Sequence, residues 1–129
     1  MTEAEDRTQL GLTPAATTDR DEVTLVLSLP SGVDAYRLGI AAAVAKRLAP
    51  APDSPGRTTA YGVGTLDPDG SIRTAVLALR DDHHGRPYAL VERLAEAGLR
   101  DLADHLDRGL PIRAYLESLL PRTADEAPA

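Results

Sequence analysis

The chain has no cysteine in its 129 residues. Disulfides, thiolate zinc sites, iron–sulfur clusters and cysteine nucleophiles are therefore excluded from its chemistry. Phenylalanine and tryptophan are absent as well, so that four tyrosines are the only aromatic residues. Because each tyrosine falls in a different predicted element, we expect them to supply core bulk with a hydroxyl group at the rim.

Positive charge is scarce, since 14 lysines and arginines face 20 aspartates and glutamates, and the net charge is -6. No basic cluster is present to neutralise phosphates, so we expect neither nucleic acid nor an anionic membrane as a partner. No apolar run approaches the ~20 residues that span a bilayer, and the acidic first residues are unlike a signal peptide. These absences predict a cytoplasmic protein. Lys46 is the one lysine beside thirteen arginines, which indicates a GC-rich bacterial genome.

The length predicts one domain with a tail at each end. Residues 1–21 and residues 121–129 are rich in Thr, Asp, Glu, Ala and Pro and show no sustained apolar period. Such segments bury too little apolar surface to order themselves. We therefore expect disordered tails at 1–21 and 121–129 and a single domain over residues 22–120, which is long enough for its own core.

The domain is predicted to start with a strand and a helix. Strict alternation over residues 22–29 is typical of a half-buried strand, with one face formed by Val23, Leu25, Leu27 and Leu29. Pro30 ends it. Ser31 and Asp34 match a helix start, and apolar residues then recur at helical spacing through Leu48. The proline-rich segment 49–56 reads as a linker.

A β-hairpin is predicted next. Residues 66–71, Leu-Asp-Pro-Asp-Gly-Ser, match a type I turn in which Gly70 takes a positive φ. The flanking segments 58–66 and 71–80 are β-rich and nearly equal in length. Both faces of this hairpin are largely apolar in either register. One face needs cover from the helix before it, and the other from the C-terminal helices or another subunit.

The C-terminal third is predicted to be mainly helical. Residues 87–96 fit either a helix that starts at Pro87 or a fourth strand, and propensity favours the helix. Gly98 reads as a break, residues 99–108 as a helix that ends at Gly109, and a last helix follows Pro111. The order is β-α-β-β-(α or β)-α-α. The predicted fold class is thus α+β, with a small, mostly antiparallel sheet of three, possibly four strands packed against helices.

The segment Asp81-Asp82-His83-His84-Gly85 concentrates the groups that could perform chemistry. Neighbouring side chains of an extended loop point to opposite sides, so the workable metal pairs are Asp81 with His83 or Asp82 with His84. Zinc needs three or four ligands, and Asp53 is the one further ligand that the predicted hairpin places near. The candidate metal set is therefore Asp82, His84 and Asp53. The competing interpretation is a solvated turn.

Two other uses of this region are open. An Asp–His pair could act as a general acid and base near neutral pH, although no activated nucleophile accompanies it. Arg57, Arg73, Arg80 and Arg86 could meet an anion near the loop, but mixed arginine and aspartate clusters are more often surface ion pairs.

The favoured function is a small, non-enzymatic accessory or interaction domain that binds a protein partner or itself as a homo-oligomer, without a cofactor. This prediction rests on the hairpin that is apolar on both faces and on the amphipathic last helix. The predicted interaction surface comprises Tyr61, Val63, Tyr115, Leu116 and Leu119. The alternative is a small ligand- or metal-binding protein or enzyme that uses the loop from Asp81 to His84.

Overall fold

A computed structural model describes residues 5–120, which contain six helices and two short strands. In chain order these are β1 (Gln9–Leu12), α1 (Pro14–Val26), α2 (Gly32–Ala45), β2 (Thr58–Gly62), α3 (Val63–Leu66), α4 (Ser71–Leu79), α5 (Pro87–Asp107) and α6 (Ile112–Leu119). The strands pair antiparallel, from Gln9 opposite Gly62 to Leu12 opposite Thr58. The predicted C-terminal tail, residues 121–129, lies outside this range, as do the first four residues of the predicted N-terminal tail, 1–21.

The predicted sheet of three or four strands is wrong, since the described part of the chain has a two-stranded sheet beneath helices. The strand predicted at 22–29 is the last part of α1 and the turn after it. Thr13 caps this helix by accepting the amide hydrogen of Ala16 at 3.2 Å, and Pro14 occupies the first turn. Ala16, Asp19 and Val23 are buried at helical spacing. The domain was predicted to begin at residue 22, but β1 and most of α1 lie before that residue, within the predicted tail.

The predicted hairpin is also wrong, although its turn exists. The amide of Gly70 donates to the carbonyl of Asp67 at 3.2 Å, and Gly70 has φ +74°. The chain then enters α4 because the Asp67 carboxylate accepts the amide hydrogens of Ile72 and Arg73, at 2.9 and 3.0 Å. Apolar composition alone is compatible with a helix or a strand, and the cap at Asp67 favours the helix.

The other predicted helical segments are present, but the break predicted at Gly98 is wrong. The helix predicted over 33–48 is α2, and the ambiguous segment 87–96 is the first half of the single long helix α5. Gly98 does not interrupt α5, whereas Gly109 ends it with φ +70° as predicted. The last helix is α6.

The core forms where α2 crosses α5, and α5 also contacts α1, α4, α6 and β1. Gly39 of α2 and Gly98 of α5 lie at this crossing, with their backbones in direct contact. A methyl group at Gly98 would overlap the Gly39 carbonyl oxygen, so both positions require a residue without Cβ. Leu94 and Leu99 of α5 and Tyr36 of α2 are fully buried beside the crossing.

A polar cluster fastens α6 to the crossing. The Tyr115 hydroxyl donates to Asp101 Oδ2 at 2.7 Å, and Lys46 forms an ion pair with the same carboxylate. Lys46 Nζ also lies 4.6 Å from the centre of the Tyr115 ring. Burial would raise the pKa of the Asp101 carboxyl, but the hydrogen bonds from Lys46 and Tyr115 outweigh it and lower that pKa.

Replacing Asp101 with asparagine is expected to cost about 1 kcal/mol at neutral pH, because the cluster loses a charged acceptor that is partly solvent-screened. An aspartate with a lowered folded-state pKa stabilises above its unfolded pKa of about 4, and this contribution is lost as the pH falls through the folded-state value. The difference in urea stability between wild type and D101N should therefore be larger at pH 7 than at about pH 2.5. Substitution of the exposed Asp81 is the control. An equal loss in D101N at both pH values would contradict this account.

Candidate functional site

The helix α4 is mostly apolar, and part of its apolar surface is exposed. Its sequence is Ser-Ile-Arg-Thr-Ala-Val-Leu-Ala-Leu, and Val76 is its one fully buried residue. Ile72, Ala75 and Leu77 are half-buried, and Leu79 is 67% exposed. Its polar residues Ser71, Arg73 and Thr74 are exposed, as in an ordinary surface helix, but Leu79 is exposed as well. Unfilled space lies on both sides of this helix.

A groove of about 610 Å³ separates α4 from α2. Its base consists of the buried side chains Ile40, Leu66 and Val76. Its walls are formed by Ala41, Val44 and Ala45 from α2, and by Ile72, Ala75 and Leu79 from α4. The volume and the apolar lining match those of ligand and peptide sites. The small alanines allow a close approach by another backbone.

One end of the groove is rigidly built. Arg37 of α2 donates through Nε to the Leu66 carbonyl at 3.1 Å and through a terminal nitrogen to the Thr65 carbonyl at 2.8 Å. Asp67 accepts the Tyr88 hydroxyl at 2.8 Å while it caps α4. Burial, together with this hydrogen bond, raises the pKa of Tyr88 to about 12. Arg37 thus holds α3 to α2, and Asp67 connects the start of α4 to α5.

A more polar depression of about 890 Å³ lies on the other side of α4. Leu77, Ala78 and Leu79 line it together with Arg47 and the segment 80–83. Leu79 is shared by the two depressions and projects between them as an exposed apolar ridge. The C-terminal half of α4 is therefore accessible from both sides.

The loop that follows α4 is held by its own polar groups. Arg80 forms a bidentate pair with Asp82 at 3.0 and 2.6 Å, and this hydrogen bonding lowers the pKa of the Asp82 carboxyl. His83 Nδ1 accepts the amide hydrogen of Gly85 at 3.1 Å. His84 and Gly85 have φ of +51° and +75°, so the chain turns sharply at this point.

The predicted metal residues Asp53, Asp82 and His84 line one small cavity of about 170 Å³. Within residues 5–120, however, no three histidine, aspartate or glutamate side chains are placed to hold a metal ion. Asp82 is engaged by Arg80, and Asp53 pairs with Arg57 at 3.3 Å. The structure thus brings the predicted ligands into one region without forming a coordination site.

The predicted interaction residues do not form one surface. Tyr61 belongs to β2 and packs against the start of α2. Its ring lies edge-on to that of Tyr36, with 5.1 Å between the ring centres, and its hydroxyl accepts a hydrogen bond from Arg20 at 3.2 Å. Val63 follows directly after β2. Tyr115 is buried against the end of α2, with Leu119 half-buried and Leu116 partly exposed. The two groups are therefore separated by about the 21 Å length of a 14-residue helix.

The groove between α2 and α4 was not predicted from the sequence. The signal for it was present, since residues 71–79 were found to be apolar on both faces, but they were assigned to a strand. The small residues Ala41 and Ala45 lie in the helix predicted through Leu48, where alanine is a strong helix former. Their exposure becomes informative once α4 is known to lie opposite them.

Comparison with known proteins finds no family model, curated protein or solved structure that matches the chain. Among the helices of residues 5–120, none has the length and apolarity to cross a membrane. Functional inference for this protein therefore depends on its own geometry.

Proposed function

We propose that this protein is a non-enzymatic interaction domain that binds an amphipathic helix of a partner protein in the groove between α2 and α4. The observation that carries the proposal is an apolar helix, α4, left uncovered beside a groove of about 610 Å³. Contiguous exposed apolar surface of this kind is typical of interaction sites. Binding in a groove between two helices is a common mode of peptide recognition.

The form of the groove favours a helix as its occupant. Alanines 41, 45 and 75 leave the middle open, whereas the larger side chains Ile72 and Leu79 stand along the α4 wall. A helix laid between these walls would insert apolar anchors spaced at i, i+3 or i+4, and i+7. Its polar face would remain in water. The buried base of the groove means that such anchors would replace water against Ile40, Leu66 and Val76.

Charge favours a different protein over a second copy. The chain has a net charge of -6, so two copies repel each other, whereas a helix with a basic polar face is attracted. The proposed partner is therefore a helix with leucine-type anchors on one face and lysine or arginine on the other. Self-association, the other possibility raised by the sequence, is one outcome of the test below.

The first test measures binding of a labelled, designed leucine–lysine amphipathic helix by fluorescence anisotropy. Leu79→Ser removes the ridge, and Ala41→Gln fills the groove from the α2 side. Burial of one leucine contributes about 1.5–3 kcal/mol, so each variant is expected to weaken binding by about tenfold or more. Leu25→Ser is the matched control because Leu25 is 80% exposed on α1 and lies outside the groove.

Three results would contradict the proposal. One is equal binding of the peptide by wild type, L79S and A41Q, and another is an equal loss in L25S. The third is a dimer of the wild-type protein by sedimentation equilibrium that L79S converts to a monomer, since the groove would then be occupied by a second copy.

A further inference from the structure

The small cavity beside the loop 81–86 has a lining rich in arginine. Arg7, Arg86 and Arg93 line its volume of about 170 Å³, together with His83 and His84. The carboxylates Asp53, Asp82 and Glu92 also line it, and the first two belong to the metal site predicted from the sequence. The hydrogen bonds of each group determine which ion the cavity can accept.

The carboxylates of this cavity are already engaged. Arg80 binds Asp82 through both oxygens. Glu92 is buried, accepts the amide hydrogen of Gly11 at 2.7 Å and lies 3.7 Å from Arg57. Arg57 also pairs with Asp53. Arg80 thus neutralises Asp82, whereas Arg57 is shared by Glu92, Asp53 and Glu96. The lining is left with three arginines against the partly compensated charges of Glu92 and Asp53.

The three arginines are anchored in a common way that leaves donors unused. Arg86 donates through Nε to the Glu5 carbonyl at 2.9 Å, and Arg93 donates through Nε to the Ala51 carbonyl at 2.6 Å. Arg7 forms an ion pair with Glu92, with Nε 3.2 Å from the carboxylate. Their terminal nitrogens make no hydrogen bond within residues 5–120. Because a guanidinium carries five donors, four on each remain available after Nε is used.

His83 supplies a further donor. Its Nδ1 accepts the amide hydrogen of Gly85, which assigns the proton of the neutral ring to Nε2. Because Arg80 neutralises Asp82, the three guanidinium groups outnumber the two remaining carboxylates of the lining, and the cavity favours an oxyanion over a metal cation.

We propose that this cavity binds a small oxyanion of the phosphate class, either as the free ion or as the terminal phosphoryl group of a larger molecule. Guanidinium groups recognise tetrahedral oxyanions through paired N–H donors. A volume of about 170 Å³ is below the range of drug-sized pockets, so only the anionic group itself would be enclosed. The site is separate from the groove between α2 and α4, and no residue lines both.

The experiment is a titration of the full-length protein with inorganic phosphate against chloride at equal ionic strength, followed by amide NMR shifts and by thermal unfolding. We expect saturable shifts at Gly85 and Arg86 and a phosphate-dependent rise in Tm. Each charge-assisted hydrogen bond is worth about 1.5–3 kcal/mol, so Arg86→Gln and Arg93→Gln should each raise the phosphate Kd by about tenfold or more. Arg113→Gln, which removes an 88% exposed arginine on α6, should leave the Kd unchanged.

Thermal unfolding in chloride alone shows whether R86Q and R93Q remain folded. If either variant is unfolded, the NMR shifts of the wild-type protein in phosphate, compared with those in chloride, still test whether the cavity binds phosphate. Phenyl phosphate serves as the second arm, and tighter binding than that of inorganic phosphate would identify the ligand as a phosphate monoester. The proposal is overturned if phosphate produces no saturable change beyond that of chloride, or if R86Q and R93Q bind it as well as R113Q does.

Discussion

Replacing Gly98 with alanine is expected to lower the free energy of unfolding severely. The added methyl group would overlap the carbonyl oxygen of Gly39 and lie 2.8 Å from the Gly39 Cα. Both obstacles are backbone atoms of a packed helix, so α2 must move away from α5 to accept the methyl. The loss should exceed about 4 kcal/mol, which only exceptional single substitutions reach, from a total of about 5–15 kcal/mol for a domain of this kind. Far-UV circular dichroism and urea unfolding measure it.

Gly64→Ala is the matched control. A Cβ at Gly64 in α3 would meet nothing within 4 Å, and Gly64 has no positive φ. This substitution should therefore be neutral or slightly stabilising, since alanine loses less backbone entropy than glycine. A folded G98A protein with a urea midpoint close to that of wild type would show that the helices do not cross at these glycines.

Replacing Arg57 with alanine is expected to cost about 3–5 kcal/mol, the effect of removing one partner from a buried ion network. Its side chain is 7% exposed and lies between Glu92 and Glu96, two buried glutamates one turn apart on α5. Nε donates to Glu96 at 2.9 Å, and a terminal nitrogen donates to the carbonyl of Pro52 at 3.0 Å. Without Arg57 the Glu96 carboxylate would keep only the Thr13 amide as a donor.

The comparison for this prediction is Asp53→Ala, which removes an exposed member of the same network. The Asp53 side chain is 77% exposed, so its pair with Arg57 is screened and should contribute no more than about 1 kcal/mol. Urea unfolding of both variants at neutral pH gives the two values. Similar small losses for R57A and D53A would mean that the glutamates on α5 do not depend on Arg57.

Helical periodicity was a sufficient signal for α2, α5 and α6, because each has an apolar stripe that faces the core. Residues 71–79 also have such a division, since Ile72, Ala75 and Val76 face the protein while Ser71, Arg73 and Thr74 are exposed, but the turn before them and their β-rich composition favoured a strand. The deciding interaction there is the capping of α4 by Asp67. The alternation at residues 22–29 suggested a strand. The signal for a helix lies upstream, at Thr13 and Pro14, where a capping residue is followed by a proline.

Long-range features lay beyond the sequence. The strand β1 pairs with β2 across about 50 residues, and no local pattern specifies that partner. Gly98 was interpreted as a break because an isolated glycine weakens a helix, but here it permits the contact with Gly39. The same limit applies to the two proposed sites. The sequence identified the apolar residues of α4 and the polar loop after it. The groove also needs α2, and the arginine-lined cavity also needs Arg7 and Arg93, which are distant in sequence.

The most direct test of the proposed function is a methyl NMR titration of the protein with the leucine–lysine amphipathic helix. We expect the methyl signals of Ile40, Val44, Ile72 and Leu79 to shift together and to saturate at one equivalent of peptide. The signals of Leu25 and Leu110, exposed leucines outside the groove, should stay in place. Shifts centred on those leucines, or no saturable shift along the groove, would contradict the assignment of the space between α2 and α4 as a helix-binding site.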